Sequence, residues 1–80
     1  MEIVEIKTET IRLDQAMKLS GHVESGAMAK WLVQEKRVMV NEKPCLMRGK
    51  KLRSGDRVSF EGICFIVRQS GDASEKEEIF

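Results

Sequence analysis

The sequence predicts an α+β fold in a single domain, on three observations. Residues 11–19 and 25–35 place apolar side chains at helical spacing, and residues 37–68 alternate at period two between clusters of turn residues. The chain holds 80 residues, short of the ~100 to 200 usual for each domain of a larger protein. A domain of this size buries only ~60% of the surface of its unfolded chain. With 41% hydrophobic, 5% aromatic and 34% charged residues, it reads as a soluble globular unit with a thin core.

Val4 and Ile6 fall on one side of residues 2–7, which predicts a short leading strand. Thr8 and Thr10 offer caps for a first helix over 11–19, where Leu13, Ala16 and Met17 stand at i, i+3 and i+4, and Gly21 ends it in a left-handed conformation. Ser25 caps a second helix to about residue 35, because its hydroxyl can accept a first-turn amide. Met28, Ala29, Leu32 and Val33 form its apolar stripe; Lys30, Gln34 and Lys36 face solvent. Trp31 borders the stripe: an indole there either stacks on an unpaired base or packs on the core with its N–H outward, and packing is the expectation.

Beyond the helices, Val38 and Val40 alternate with Arg37 and Met39, and residues 41–44 supply the turn of a hairpin. Leu52 precedes a second turn at Ser54, Gly55 and Asp56. Val58 and Phe60 then alternate with Arg57 and Ser59 as a strand, and Gly62 turns the chain into residues 63–68, apolar on both faces and expected to be well covered. Residues 70–80 are small, polar and acidic, a composition that predicts a mobile tail in which Ile79 and Phe80 fray. The expected organisation is one domain over 1–69 and a tail over 70–80.

Chemistry-bearing residues are sparse. Catalysis needs an activated nucleophile or a tuned acid and base, and the chain offers one His, no Tyr, no triad setting, no GxGxxG and no P-loop. No enzyme activity, cofactor or small-molecule substrate is expected. Cys45 and Cys64 are too few for a stapled scaffold and read as reduced, packed thiols. Joined to His22 they give three ligands in no recognised spacing where closed zinc sites use four, so no metal is expected. The apolar runs are far shorter than the ~20 residues that cross a bilayer, and residues 1–10 lack the regions of a signal peptide. The expected location is the cytoplasm, with no membrane partner.

The formal net charge of +1 is unevenly spread: residues 7–60 carry twelve Lys or Arg against six Asp or Glu, while residues 1–6 contribute −2 and residues 61–80 contribute −3. Residues 43–53 hold Lys43, Arg48, Lys50, Lys51 and Arg53 with no acid among them. Such clustering attracts a polyanion, or serves only as solvated surface.

Arg12-Leu13-Asp14, Gly21, Ser25, Ala29-Lys30, Val38-Met39-Val40-Asn41, Gly49-Lys50-Lys51-Leu52 and Gly55-Asp56, in this order and spacing, resemble the S4-type RNA-binding domain, also called the alpha-L motif, over about residues 11–60. With its leading strand and short chain, the sequence is most similar to the small free-standing bacterial members, the YaaA and YbcJ-like group. The resemblance implies two short helices packed on a small, bent, mostly antiparallel sheet, and binding of structured RNA, often ribosomal or tRNA-like. Gly26 stands where many members have Arg. Lys36 and Glu42 stand where glycine is usual, so those turns either take left-handed geometry at some cost or change.

The candidate RNA contacts are Arg12, Lys18, Ser25, Gly26, Lys30, Lys36, Arg37, Asn41, Lys43, Arg48, Lys50, Lys51 and Arg53. The start of the second helix presents unpaired amides with partial positive charge, and Gly26 leaves room for a phosphate. Asp14 stands four residues before Lys18, a pairing that partly occupies Lys18. Arg12 either pairs with Asp14 or Asp56 or meets RNA, and Asn41 either meets RNA or closes its turn. Contacts to a sugar-phosphate strand give steep salt dependence and modest sequence preference, leaving RNA shape to select the target. The alternative is an adaptor whose basic face holds an acidic protein, or whose acidic tail engages a basic one.

Overall fold

Nine elements follow one another in the computed structural model, which describes residues 1–70; the rest of the expected acidic tail, with Ile79 and Phe80, lies outside the described residues. They are β1 (Glu2–Ile6), β2 (Ile11–Arg12), α1 (Leu13–Leu19), α2 (Gly26–Gln34), β3 (Val38–Val40), β4 (Lys43–Pro44), β5 (Lys51–Leu52), β6 (Arg57–Phe60) and β7 (Ile63–Gln69). Five strands form one sheet in the order β1-β7-β6-β3-β4, and β2 pairs with β5 in a second, two-stranded sheet. Every pairing is antiparallel except β1 with β7. The α+β class is therefore the observed one.

Alternation explains the core. Val4, Ile6, Val38, Val40, Val58, Phe60, Phe65 and Val67 turn one face of the large sheet onto Leu13, Ala16 and Met17 of α1 and Ala29, Leu32 and Val33 of α2, all buried. Phe60 and Phe65 meet edge to face at 6.3 Å between ring centroids. Truncating a fully buried aromatic such as Phe65 to alanine costs about 3–5 kcal/mol.

The turns carry unusual backbone. Asn41 (φ 52°) and Glu42 (φ 70°) form the two-residue connection between β3 and β4, and Glu61 (φ 49°) and Gly62 (φ 78°) that between β6 and β7. Positive φ at both central positions is the type I′ geometry that matches strand twist. At the end of α2, the Arg37 N–H reaches the Leu32 carbonyl and the Lys36 N–H the Val33 carbonyl, with Lys36 left-handed at φ 61°. That is a Schellman stop built on lysine where glycine costs less. Lys36 and Glu42 thus adopt the left-handed geometry rather than altering their turns.

Three expectations need correction. The first helix begins at Leu13, not residue 11, because Ile11 and Arg12 are drawn into pairing with Leu52 and Lys51, some forty residues away. Thr8 and Thr10 do not cap it; the Thr8 hydroxyl donates to the Thr10 carbonyl at 2.7 Å. Finally, Cys64 and Ile66 of β7 are only half-buried, since both helices pack on the other face and no described element covers theirs.

Candidate nucleic-acid interface

The acid-free segment is held in place by its own backbone. The N–H groups of Leu13 and Asp14, which the first turn of α1 leaves without helical partners, donate to the carbonyls of Lys50 and Arg48 at 2.8 and 3.0 Å. Lys51 then enters the ladder with Arg12. The segment from Arg48 to Lys51 is thereby pinned across the start of α1 while its side chains stay exposed.

Those side chains meet others from α2 and the β3–β4 hairpin. Lys30 and Arg48 border a small cleft of about 140 Å³ with Val33, Gln34 and Leu46. Lys43 and Lys50 border a groove of about 420 Å³ with Asn41, Pro44, Cys45, Leu46 and Met47. Leu46 lines both, so the two clefts adjoin. The Arg12 guanidinium lies 3.8 Å from where a side chain at Gly49 would begin, which places it against the same segment. Among the described residues, Lys30, Lys43, Arg48, Lys50, Lys51 and Arg53 have no carboxylate within salt-bridge distance.

Two nearby acids are engaged by Arg12, Asn41 and backbone amides. Asp14, 6% exposed, receives Arg12 at 3.1 Å and the Gln15 N–H at 2.9 Å. Asp56 accepts Asn41 Nδ2 at 3.1 Å and the Arg53 N–H at 2.8 Å. Asn41 also accepts the Arg57 N–H at 3.0 Å, so its side chain closes the turn. Of the partners open to Arg12, the structure selects Asp14.

Ser25 caps α2 as expected, accepting the Met28 N–H at 3.2 Å, and the space beside Gly26 is open. Lys30 stands one turn further along. Other candidates do not join this group. Lys18 sits in the last turn of α1, away from the end that the basic segment caps, and forms no pair with Asp14 because Arg12 takes that carboxylate. Lys36 lies at the far end of α2 from Ser25. Arg37 is bound to Glu61 at 3.0 Å and its Cζ lies 5.4 Å from the Trp31 ring centroid. Trp31 is 49% exposed and Met28 is exposed beside it; both depart from the expected core packing, since the stripe that meets the core is Ala29, Leu32 and Val33.

Leu46 and Met47 were not singled out from the sequence. They are 59% and 68% exposed in the middle of the cationic clefts, and their only sequence signal is two large apolar residues inside a basic loop. Cys45 and Cys64 are both free thiols. Among the described residues there is no cluster of metal-ligating groups and no helix long and apolar enough to cross a membrane.

Residues 4–68 match the family model of the S4 domain. The chain is also 48% identical over 60 residues to the probable ribosome maturation protein RlbA of Bacillus subtilis (strain 168), an alignment covering 75% of this chain and 84% of that protein.

Proposed function

The chain belongs to the S4 domain family, and from that premise we propose that it is a non-catalytic, cytoplasmic RNA-binding protein acting on ribosomal or similarly structured RNA in ribosome maturation. Residues 1–69 are the binding domain. Lys30, Lys43, Arg48, Lys50, Lys51 and Arg53 engage phosphates, Arg12 supports them against the Gly49 backbone, and the first-turn amides at Gly26 and Ala27 receive one phosphate more. Lys18, Lys36 and Arg37 are peripheral to this seat, and Asn41 acts by shaping its hairpin. No metal or cofactor has a part in it.

One observation carries this reading: cations from α2, the β3–β4 hairpin and the pinned 48–51 segment border adjoining clefts with no described carboxylate within salt-bridge distance of them. Charges so placed exchange counterions for phosphates directly, whereas a paired surface cation must first give up its carboxylate. The test is the affinity for a ribosomal RNA fragment as salt is varied. Six neutralised phosphates predict a slope of log affinity against log salt of about −4 to −5.5. A nearly flat dependence would instead favour a protein partner anchored on the exposed Leu46 and Met47.

A further inference from the structure

Resting on the RNA-binding reading above, we propose that Trp31 and Arg37 form a stacking platform for an unpaired nucleobase, next to the phosphate seat but separate from it. The single Trp of the chain is half exposed on α2, and the Arg37 guanidinium is held over its ring at 5.4 Å. Glu61, in the turn between β6 and β7, accepts a hydrogen bond from Arg37 at 3.0 Å and so orients the guanidinium beside the indole. Arg37 and Glu61 also line a shallow groove of about 390 Å³ with Met39, Ser59, Phe60 and Cys64.

The chemistry of the ligand follows from what this arrangement offers. Glu61 neutralises Arg37, so the platform presents flat π and guanidinium surfaces rather than net charge, and it suits an uncharged aromatic ring better than a phosphate. Its neighbours supply the opposite. Lys30 and Lys36 precede each member of the stack by one residue and have no described carboxylate partner. A planar seat bordered by free ammonium groups complements a ligand that alternates aromatic rings with anions, as a single-stranded nucleotide does. Because Glu61 already orients the guanidinium, part of the side-chain ordering precedes binding. Lys30 borders the Arg48 cleft, so a strand whose phosphates occupy the basic segment can place an unstacked base on the neighbouring face of the same helix.

The experiment compares an RNA stem closed by an adenosine loop with the same stem as a blunt duplex, reading affinity by anisotropy of labelled RNA and stacking by the fluorescence of Trp31. The looped RNA quenches the indole; Trp31→Ala weakens the looped RNA about tenfold and the duplex less than twofold, and Trp31→Phe, which keeps an aromatic face and the fold, retains most of the affinity. Looped RNA that binds without quenching, and equally well to folded Trp31→Ala, overturns the proposal, leaves RNA binding intact and assigns this face to a protein. Equal losses for both RNAs also overturn it. Failure of the wild-type chain to bind either RNA removes the RNA-binding reading itself.

Discussion

Two cationic regions of the molecule differ in what faces them. Along the large sheet and its ends, Arg68 meets Glu5 at 2.8 Å, Arg37 meets Glu61 at 3.0 Å and Arg57 meets Glu42 at 3.6 Å. Around the 43–53 segment, only Arg12 has a described carboxylate partner. The first region spends its charge on exposed pairs worth ~1 kcal/mol or less each; the second keeps its charge available to a ligand. The two regions differ less in their number of cations than in the placement of carboxylates around them.

The largest test of that contrast is charge reversal on each side. Lys50→Glu with Lys51→Glu is expected to lower affinity for ribosomal RNA at least a hundredfold, measured by filter retention, with circular dichroism and melting temperature nearly unchanged because both side chains are exposed. Arg57→Glu with Arg68→Glu, an equal change in net charge on the paired region, is expected to cost less than about fivefold. Comparable losses from both would mean that net charge alone governs binding.

Arg12 stands across the boundary, belonging to the free region by place and to the paired one by contact. Asp14→Asn removes the buried carboxylate that holds it, and is expected to destabilise the fold by about 1–3 kcal/mol in denaturant titration. Affinity should fall severalfold as well, since Arg12 borders the pinned segment. Retained stability would show that the backbone bonds from Leu13 and Asp14 to Lys50 and Arg48 suffice alone.

How far the sequence revealed these regions follows from the range of the contacts involved. The strands and α2 were legible because alternation, helical spacing and the Ser25 cap are local. So was the availability of the 43–53 cations, since a segment without acids cannot pair internally. The β2 pairing was not, because Ile11 and Arg12 are extended only through partners at Leu52 and Lys51. Nor were the ion pairs of the sheet: Glu5 and Arg68 are neighbours solely through the β1–β7 register. The exposure of Trp31 was not legible either, because a border residue faces solvent or core according to how α2 is rotated on the sheet, and the packed face is Ala29, Leu32 and Val33.

Two smaller effects sharpen the contrast. Residues 71–80 hold four carboxylates and one lysine; deleting them is expected to raise RNA affinity a fewfold at low salt while changing stability by no more than about 0.5 kcal/mol. A larger loss of stability would show that Ile79 and Phe80 are packed. Lys36→Gly relieves left-handed strain at the end of α2 and is expected to raise the denaturation midpoint, by about 1 kcal/mol in stability. Because Lys36 lies far from the basic segment, affinity for a blunt RNA duplex should change by less than about threefold.

The most direct measurement is a titration of isotope-labelled protein with a ribosomal RNA hairpin, followed by amide chemical shifts. Shifts concentrated in residues 43–53 and the first two turns of α2, with β1 and β7 unmoved, are predicted. Shifts confined to the β1–β7 face around Ile3 and Ile66, with the 43–53 segment silent, would contradict the assignment of binding to the cations that lack carboxylate partners.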